Sequence, residues 1–249
     1  MKFPRKGFPT YGEAIGIIMQ KEVGWPRIPG DVGNAFSFGF PVKYKAVKGF
    51  GVKEIVTPNP TPRAEKMLVD AAVELESEGV RAIVGGVGYM IIFQEALANA
   101  VDIPVFSSSL LLTPIVSRTL AKGKRVGILT INAKALTERH LKCAGLDESM
   151  AIAIQGLDSL PEEMARYQNR LDPEERLKTM ENNLTYAAER MVSEYPDLGA
   201  LIFECTCFPP AAPAVQKATG LPIYDVVTLA NFAHDVVVKT RFPVGHRFM

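Results

Sequence analysis

Ala200-Leu201-Ile202-Phe203-Glu204-Cys205-Thr206-Cys207-Phe208-Pro209-Pro210 decides how this chain folds. A short apolar run breaks off at Glu204-Cys205-Thr206, and Pro209-Pro210 opens an alanine-rich segment. A continuous apolar run of this length, without alternation, is the pattern of a parallel strand buried on both faces. Open α/β sheets collect ligands at the carboxyl ends of their strands, which makes the Cys205 thiol a candidate site residue. The helix N-terminus expected next can hold an anion and lower a thiol pKa, whereas the adjacent Glu204 carboxylate raises it.

The pattern has an earlier counterpart. A shift of 118 residues carries Ala82 onto Ala200, Ala96 onto Ala214, Ala100 onto Ala218 and Pro104 onto Pro222 without a gap. Ile83-Val84 then meets Leu201-Ile202, and Ile103-Pro104-Val105-Phe106 meets Leu221-Pro222-Ile223-Tyr224. Gly127-Ile128-Leu129 likewise echoes Gly16-Ile17-Ile18. Strand, turn, helix and strand at equal lengths point to a duplicated α/β unit. The expected fold is therefore two similar α/β domains, each with a four-stranded parallel sheet, related by a pseudo-twofold axis. Residues 1–109 plus 228–249 form the first domain and 110–227 the second. In this register Cys205 faces Val87.

Further strands are expected at Ala14–Met19, Val52–Thr57, Val80–Val84, Pro104–Ser107, Arg125–Thr130 and Met150–Ile154. Thr61-Pro62 starts a helix that Gly79 stops, and Asp172-Pro173-Glu174-Glu175 starts another. Leu177, Met180, Leu184, Ala187 and Met191 mark the buried stripe of the latter. Asn132 is expected to cap a helix running to Ala144, closed by Gly145. Helices at Ile92–Ala100, Leu110–Ala121 and Thr228–Lys239 complete the set. The last two lie where the chain passes between halves, so each is expected to dock on the opposite half.

Composition narrows the function. Hydrophobic residues make up 47% and charged residues 22% of the 249, as in a globular protein. A net charge of +1 argues against a general nucleic-acid surface. No apolar run approaches the roughly 20 residues that cross a bilayer, and Met1 to Thr10 does not resemble a signal peptide. Three cysteines, an odd number, fit a reducing, cytoplasmic setting. Cys205, Cys207 and the distant Cys143 lack a structural zinc spacing, so no metal is expected.

Between the first strand and the next lies a long loop, Trp25-Pro26-Arg27-Ile28-Pro29-Gly30-Asp31-Val32-Gly33-Asn34. Its Arg27, Asp31 and Asn34 are candidates to line a pocket, although Asp31 and Asn34 also suit plain turns. Gly85-Gly86-Val87-Gly88-Tyr89 lets backbone approach a ligand, or merely turns tightly; it is not a dinucleotide fingerprint. Cys207 and Cys143 read as packing, His140 as solvated beside Glu138 and Arg139, His234 as a buried helix residue, and His246 as part of a tail.

Glu204-Cys205-Thr206 after an apolar strand, in a duplicated α/β chain, resembles the aspartate/glutamate racemase superfamily over nearly the whole length. Ile28-Pro29-Gly30-Asp31-Val32-Gly33-Asn34 is similar to a branch described only as aspartate/glutamate racemase family proteins. Members include aspartate, glutamate and hydantoin racemases, maleate isomerase and arylmalonate decarboxylase. The resemblance implies a cofactor-free site for a small carboxylate in the cleft between two domains. In the racemases two cysteines face each other there, one removing the α-proton and the other returning a proton to the opposite face. Here the first-cysteine position falls on Val87, and Cys207 stands where the racemases often have histidine. The resemblance leaves Cys205 as catalytic residue, Thr206 as its anion-binding neighbour, Val87, Gly88 and Tyr89 on the opposite wall, and Thr130 and Asn132 as further substrate contacts.

Two functions follow. One is an enzyme in which the Cys205 thiol alone moves a proton at a carbon next to a carboxylate, as in decarboxylation or isomerisation. The other is a small-carboxylate binding protein that kept the cleft and lost the chemistry. Neither needs nucleic acid or a membrane, and both leave homo-oligomerisation open.

Overall fold

The computed structural model describes residues 7–8, 10–21, 23–160 and 172–241. Among these, β1 (Ile15–Gln20), β2 (Val42–Val47), β3 (Ala82–Gly85) and β4 (Val105–Phe106) form one parallel sheet in the order β2-β1-β3-β4. β5 (Arg125–Thr130), β6 (Ile152–Gly156), β7 (Leu198–Phe203) and β8 (Ile223–Tyr224) form a second in the equivalent order β6-β5-β7-β8. The duplication extends to the ladders. Ile83 and Val84 pair with Val105 and Phe106, and the same pairs moved by 118 positions join Leu201 and Ile202 to Ile223 and Tyr224. Gly16 and Ile17 lie opposite Ile83 and Val84 just as Gly127 and Ile128 lie opposite Leu201 and Ile202.

Helices α1 (Val52–Ile55), α2 (Pro62–Ser77), α3 (Gln94–Ala100), α4 (Thr113–Thr119), α5 (Glu138–Cys143), α6 (Pro173–Glu194), α7 (Ala212–Thr219) and α8 (Val226–Val237) link and cover the sheets. The caps match their chemistry: Thr61 accepts from the Ala64 N–H before α2, and Asp172 from the Glu175 N–H before α6. The buried stripe of α6, from Met180 to Met191, packs with Leu129, Leu201 and Phe203 on one face of the second sheet. α8 lies over the first sheet, its Val226, Ala230 and Ala233 sharing a core with Ile15, Ile17 and Val84. α4 packs on β5. Each half thus lends a helix to the other.

Three expected elements differ. Val52–Thr57 is not a strand: Val52–Ile55 is a helical turn, opened by the Gly51 N–H donating to Glu54 Oε2 at 2.9 Å. The edge place beside β1 goes to Val42-Lys43-Tyr44-Lys45-Ala46-Val47, whose alternation suits an edge strand; Lys43 and Lys45 pair with Glu78 and Glu74. After β5 the α-helix begins at Glu138, not Asn132, because Asn132 Oδ1 accepts only from the Ala135 N–H and closes a turn. The segment before α4, Ser109–Leu112, is a 3-10 helix, so the α-helix expected from Leu110 starts at Thr113.

Candidate functional site

In each sheet the chain leaves its first strand to one side and then returns to the other. A crevice opens at such a switch point, outside the carboxyl ends of the two central strands. Here the two crevices meet. A cavity of about 210 Å³ is lined by Gln20 at the end of β1, Gly86 to Tyr89 after β3, Ile131 and Asn132 after β5, and Glu204 to Cys207 after β7. Trp25, Val52, Val56 and Asp158 complete its wall. Val87 and Cys205 line this one space from different halves.

Hydrogen bonds tie the walls together. Thr206 Oγ1 donates to the Gly86 carbonyl at 2.8 Å, and the Val32 N–H donates to the Thr206 carbonyl at 3.1 Å. Ser109 Oγ donates to the Phe203 carbonyl at 2.7 Å. Gly88 lies so close to Glu204 that a Cβ would overlap both its carbonyl oxygen and its carboxyl. Close approach, not a positive φ, is what requires glycine there.

Glu204 is fully buried. Its Oε2 is hydrogen-bonded to Thr130 Oγ1 at 2.8 Å, while Oε1 has no partner. Burial pushes its carboxyl pKa up to about 8, against which the Thr130 bond works only weakly. The Tyr89 hydroxyl lies 3.0 Å from Thr130 Oγ1 and 2.5 Å from the Asn132 carbonyl, whose oxygen can only accept. Burial, and then the nearby Glu204, raise the Tyr89 pKa, so the phenol stays neutral.

Cys205 is half-buried and Cys207 buried. The hydrogen bond with Cys205, and then burial, push the Cys207 thiol well above its ordinary range. A 3-10 turn, Pro209–Ala211, separates the thiols from α7. Cys207, read from sequence as packing, therefore belongs to the cavity wall and to the surroundings of Cys205.

The loop residues sit behind that wall. Arg27 Nη1 donates to Asp31 Oδ1 at 2.7 Å and points at Cys207 Sγ at 3.7 Å. Asp31 also accepts from the Gly33 N–H. Asn34 caps the turn Ala35–Ser37 and donates to the Arg27 carbonyl, the plain turn reading. None of the three lines the cavity. Their neighbour Trp25 does, with the Arg27 guanidinium 5.5 Å from its ring centre. Gln20, Trp25 and Asp158 were missed from sequence; only the place of Gln20 at a strand end offered a signal.

His140, expected in solvent, is buried against Tyr89, with Nδ1 bonded to Thr137. His234 stacks on Phe40 at 3.8 Å, and Cys143 packs near Ile92. His246 lies outside the described residues. Among the described residues no lysine, arginine or histidine lines the cavity. Among the described residues no group of three metal-ligating side chains occurs, and no helix is long and apolar enough to cross a membrane.

The chain is similar to a dimethylsulfoniopropionate lyase of Durusdinium sp. clade D, 30% identical over 211 residues, which span 82% of this chain and 69% of the relative. Dimethylsulfoniopropionate lyase 7 of Emiliania huxleyi is 28% identical over 243 residues, 94% of this chain and 70% of the relative. In fold it is similar to a glutamate racemase from Bacillus anthracis, with a TM-score of 0.58 and 16% identity over 92% of this chain and 85% of that one. Unliganded arylmalonate decarboxylase gives a TM-score of 0.56 and 16% identity over 94% of this chain and 96% of that one. The Asp/Glu/Hydantoin racemase family pattern matches residues 43–231, which hold every strand from β3 to β8 and the cavity wall from Val87 to Cys207, and the chain belongs to that family.

Proposed function

We propose that this chain is a cofactor-independent enzyme that eliminates a leaving group from a small carboxylate, with Cys205 as its one proton-transfer group. The observation that carries this reading is a cavity whose lining holds Cys205 from one half and, from the other, Val87 in place of a second thiol. Elimination needs one base, whereas direct racemisation needs a group on each face of the carbon. The dimethylsulfoniopropionate lyases among its relatives add weight and suggest a substrate with a carboxylate and a β-sulfonium group. In that reaction the Cys205 thiolate takes the proton next to the carboxylate and becomes a thiol. The electron pair left behind forms the carbon–carbon double bond as the carbon–sulfur bond breaks, and its electrons leave on neutral dimethyl sulfide. Acrylate remains. Among the described residues the walls hold no basic side chain and do hold Asp158, which suits a substrate that carries its own positive charge.

Purified protein given dimethylsulfoniopropionate is expected to release dimethyl sulfide and acrylate in equal amounts. Cys205→Ala should lower the rate by about 10²–10⁴-fold, the usual contribution of a positioned acid or base. Arylmalonate, aspartate and glutamate serve as parallel substrates. Carboxylate binding without turnover, equal in wild type and Cys205→Ala, would instead favour the binding-protein reading.

A further inference from the structure

Glu204, Thr130, Tyr89 and Asn132 form one chain of contacts beside the cavity. Glu204 Oε2 lies 2.8 Å from Thr130 Oγ1, Thr130 Oγ1 lies 3.0 Å from the Tyr89 hydroxyl, and that hydroxyl lies 2.5 Å from the Asn132 carbonyl oxygen. All three are oxygen–oxygen contacts at hydrogen-bond distance, so each needs a proton of its own. An ionised Glu204 would accept from Thr130, but threonine and tyrosine then hold two hydroxyl protons for three contacts.

The far end sets the direction. A carbonyl oxygen only accepts, so the proton in the shortest contact is that of Tyr89. Tyr89 in turn accepts from Thr130, whose single proton is thereby engaged, and Thr130 accepts from Glu204. The third proton therefore sits on Glu204 Oε2. Thr130 Oγ1 then donates once, to Tyr89, and accepts twice, from Glu204 and from the Asn132 N–H at 3.4 Å, the full capacity of a hydroxyl. Glu204 Oε1 becomes the carbonyl oxygen of a neutral acid. It packs against Gly88 without a partner, which costs less than leaving a charged oxygen in that place.

We propose that Glu204 is a positioning residue: as a neutral acid it heads a hydrogen-bond chain that fastens the Tyr89 wall of one half to the Thr130–Asn132 wall of the other, and its ionisation lets those walls part. Tyr89 comes from the turn after β3 and Thr130 from the end of β5, so the chain bridges the halves next to Cys205. Among the described residues, no free positive charge faces the carboxyl. Tyr89 stays neutral, and His140 of α5, packed behind Tyr89, is kept neutral by burial, with Arg139 beside it exposed. Cys205 and Cys207 of its own loop, and Asp158 after β6, bring no positive charge. The Arg27 guanidinium, from the loop after β1, is engaged with Asp31 behind Cys207. A raised carboxyl pKa of about 8, caused by burial, agrees with this arrangement. The chain does this whatever the cavity binds.

Glu204→Gln tests the proposal, because its amide supplies the third proton at every pH. The folded wild type holds the Glu204 proton up to about pH 8, whereas the unfolded chain releases it near 4.5. In between, the folded state binds more protons, so wild-type stability falls relative to Glu204→Gln as the pH rises, about tenfold in the folding constant per pH unit, and levels off above about pH 8. Urea midpoints from about pH 5.5 to about pH 9.5 read that gap. Hydrogen exchange, corrected for its intrinsic pH dependence, reads the walls. Above about pH 8 protection should drop in wild-type peptides carrying Gly86–Tyr89 and Thr130–Asn132, and hold in Glu204→Gln. A stability gap that stays constant with pH overturns the neutral acid, and with it the proposal. A gap that changes while wall protection is unmoved, or is lost equally in both proteins, overturns the fastening role. Should Glu204→Gln fail to fold, the wild type decides alone. Its infrared band for a protonated glutamic acid and its wall protection should disappear together, with Thr130→Val shifting the band and so setting it apart from buried Asp225. Absence of that band at neutral pH, or its loss without loss of protection, overturns the proposal.

Discussion

Val87 lines the same cavity as Cys205, and a valine can neither take nor return a proton. Optical rotation of pure L-aspartate or L-glutamate is therefore expected to hold steady in the presence of the protein. Rapid loss of rotation would reveal a second base. Val87→Cys should add α-proton exchange in deuterated buffer on the face the natural chain leaves untouched. His140 shows a different residue-level effect. Burial, and then Arg139, lower its pKa to about 4, so the folded chain keeps it neutral while the unfolded chain protonates it at its ordinary 6.5. The unfolded state binds more protons in that window, so stability is complete above about pH 6.5 and falls as the pH drops toward 4. Thermal denaturation between about pH 7 and about pH 4 should show a steeper loss for the wild type than for His140→Gln.

At the scale of the element, the turn after β3 matters because it fills the space beside Glu204. Adding a methyl group at Gly88 drives it into a backbone carbonyl that the Glu204 N–H, bonded to the Leu129 carbonyl, holds in place. Gly88→Ala is expected to cost about 1–3 kcal/mol, seen as a lower urea midpoint, and to weaken carboxylate binding by shifting the cavity wall at Glu204. An unchanged midpoint with normal binding would mean that the turn can move aside. The α6 helix depends on a more ordinary device, its Asp172 cap, and Asp172→Ala should lower stability by about 1 kcal/mol with no effect on binding.

For the whole molecule, the exchange of helices makes the halves interdependent. α8 follows β8 of the second sheet yet completes the core over β1 and β3. Ser109, just after β4, donates across to the end of β7, and α4 then packs on β5. Neither sheet keeps its cover if the other unfolds, so urea unfolding followed by Trp25 fluorescence and by far-ultraviolet circular dichroism should give coincident transitions. Ala230→Asp places an unpaired carboxylate in that shared core and should cost about 3 kcal/mol or more, shifting both signals together. Separate transitions would show that the halves stand alone.

The sequence by itself determined the two-sheet plan and the places of Val87, Glu204 and Cys205. Strand burial leaves continuous apolar runs, and the 118-residue register of Ile83 on Leu201 and Val105 on Ile223 is the register of the ladders. Both signals are written over a few neighbouring positions, so they survive without tertiary information. The tertiary structure decided what depends on residues far apart. Val52–Ile55 carries strand-like residues, but the place beside β1 went to Val42–Val47, because pairing partners and not propensity assign an edge. His140 shares a charged stretch with Glu138 and Arg139, yet packing against Tyr89 buries it. Arg27 meets Cys207, and Thr130 at the end of β5 meets Glu204 just past β7, only because the ends of separate strands and their loops converge at the switch points. The charge state of Glu204 follows from that convergence: desolvation and hydrogen bonding sum over a three-dimensional neighbourhood, which no local stretch of sequence contains.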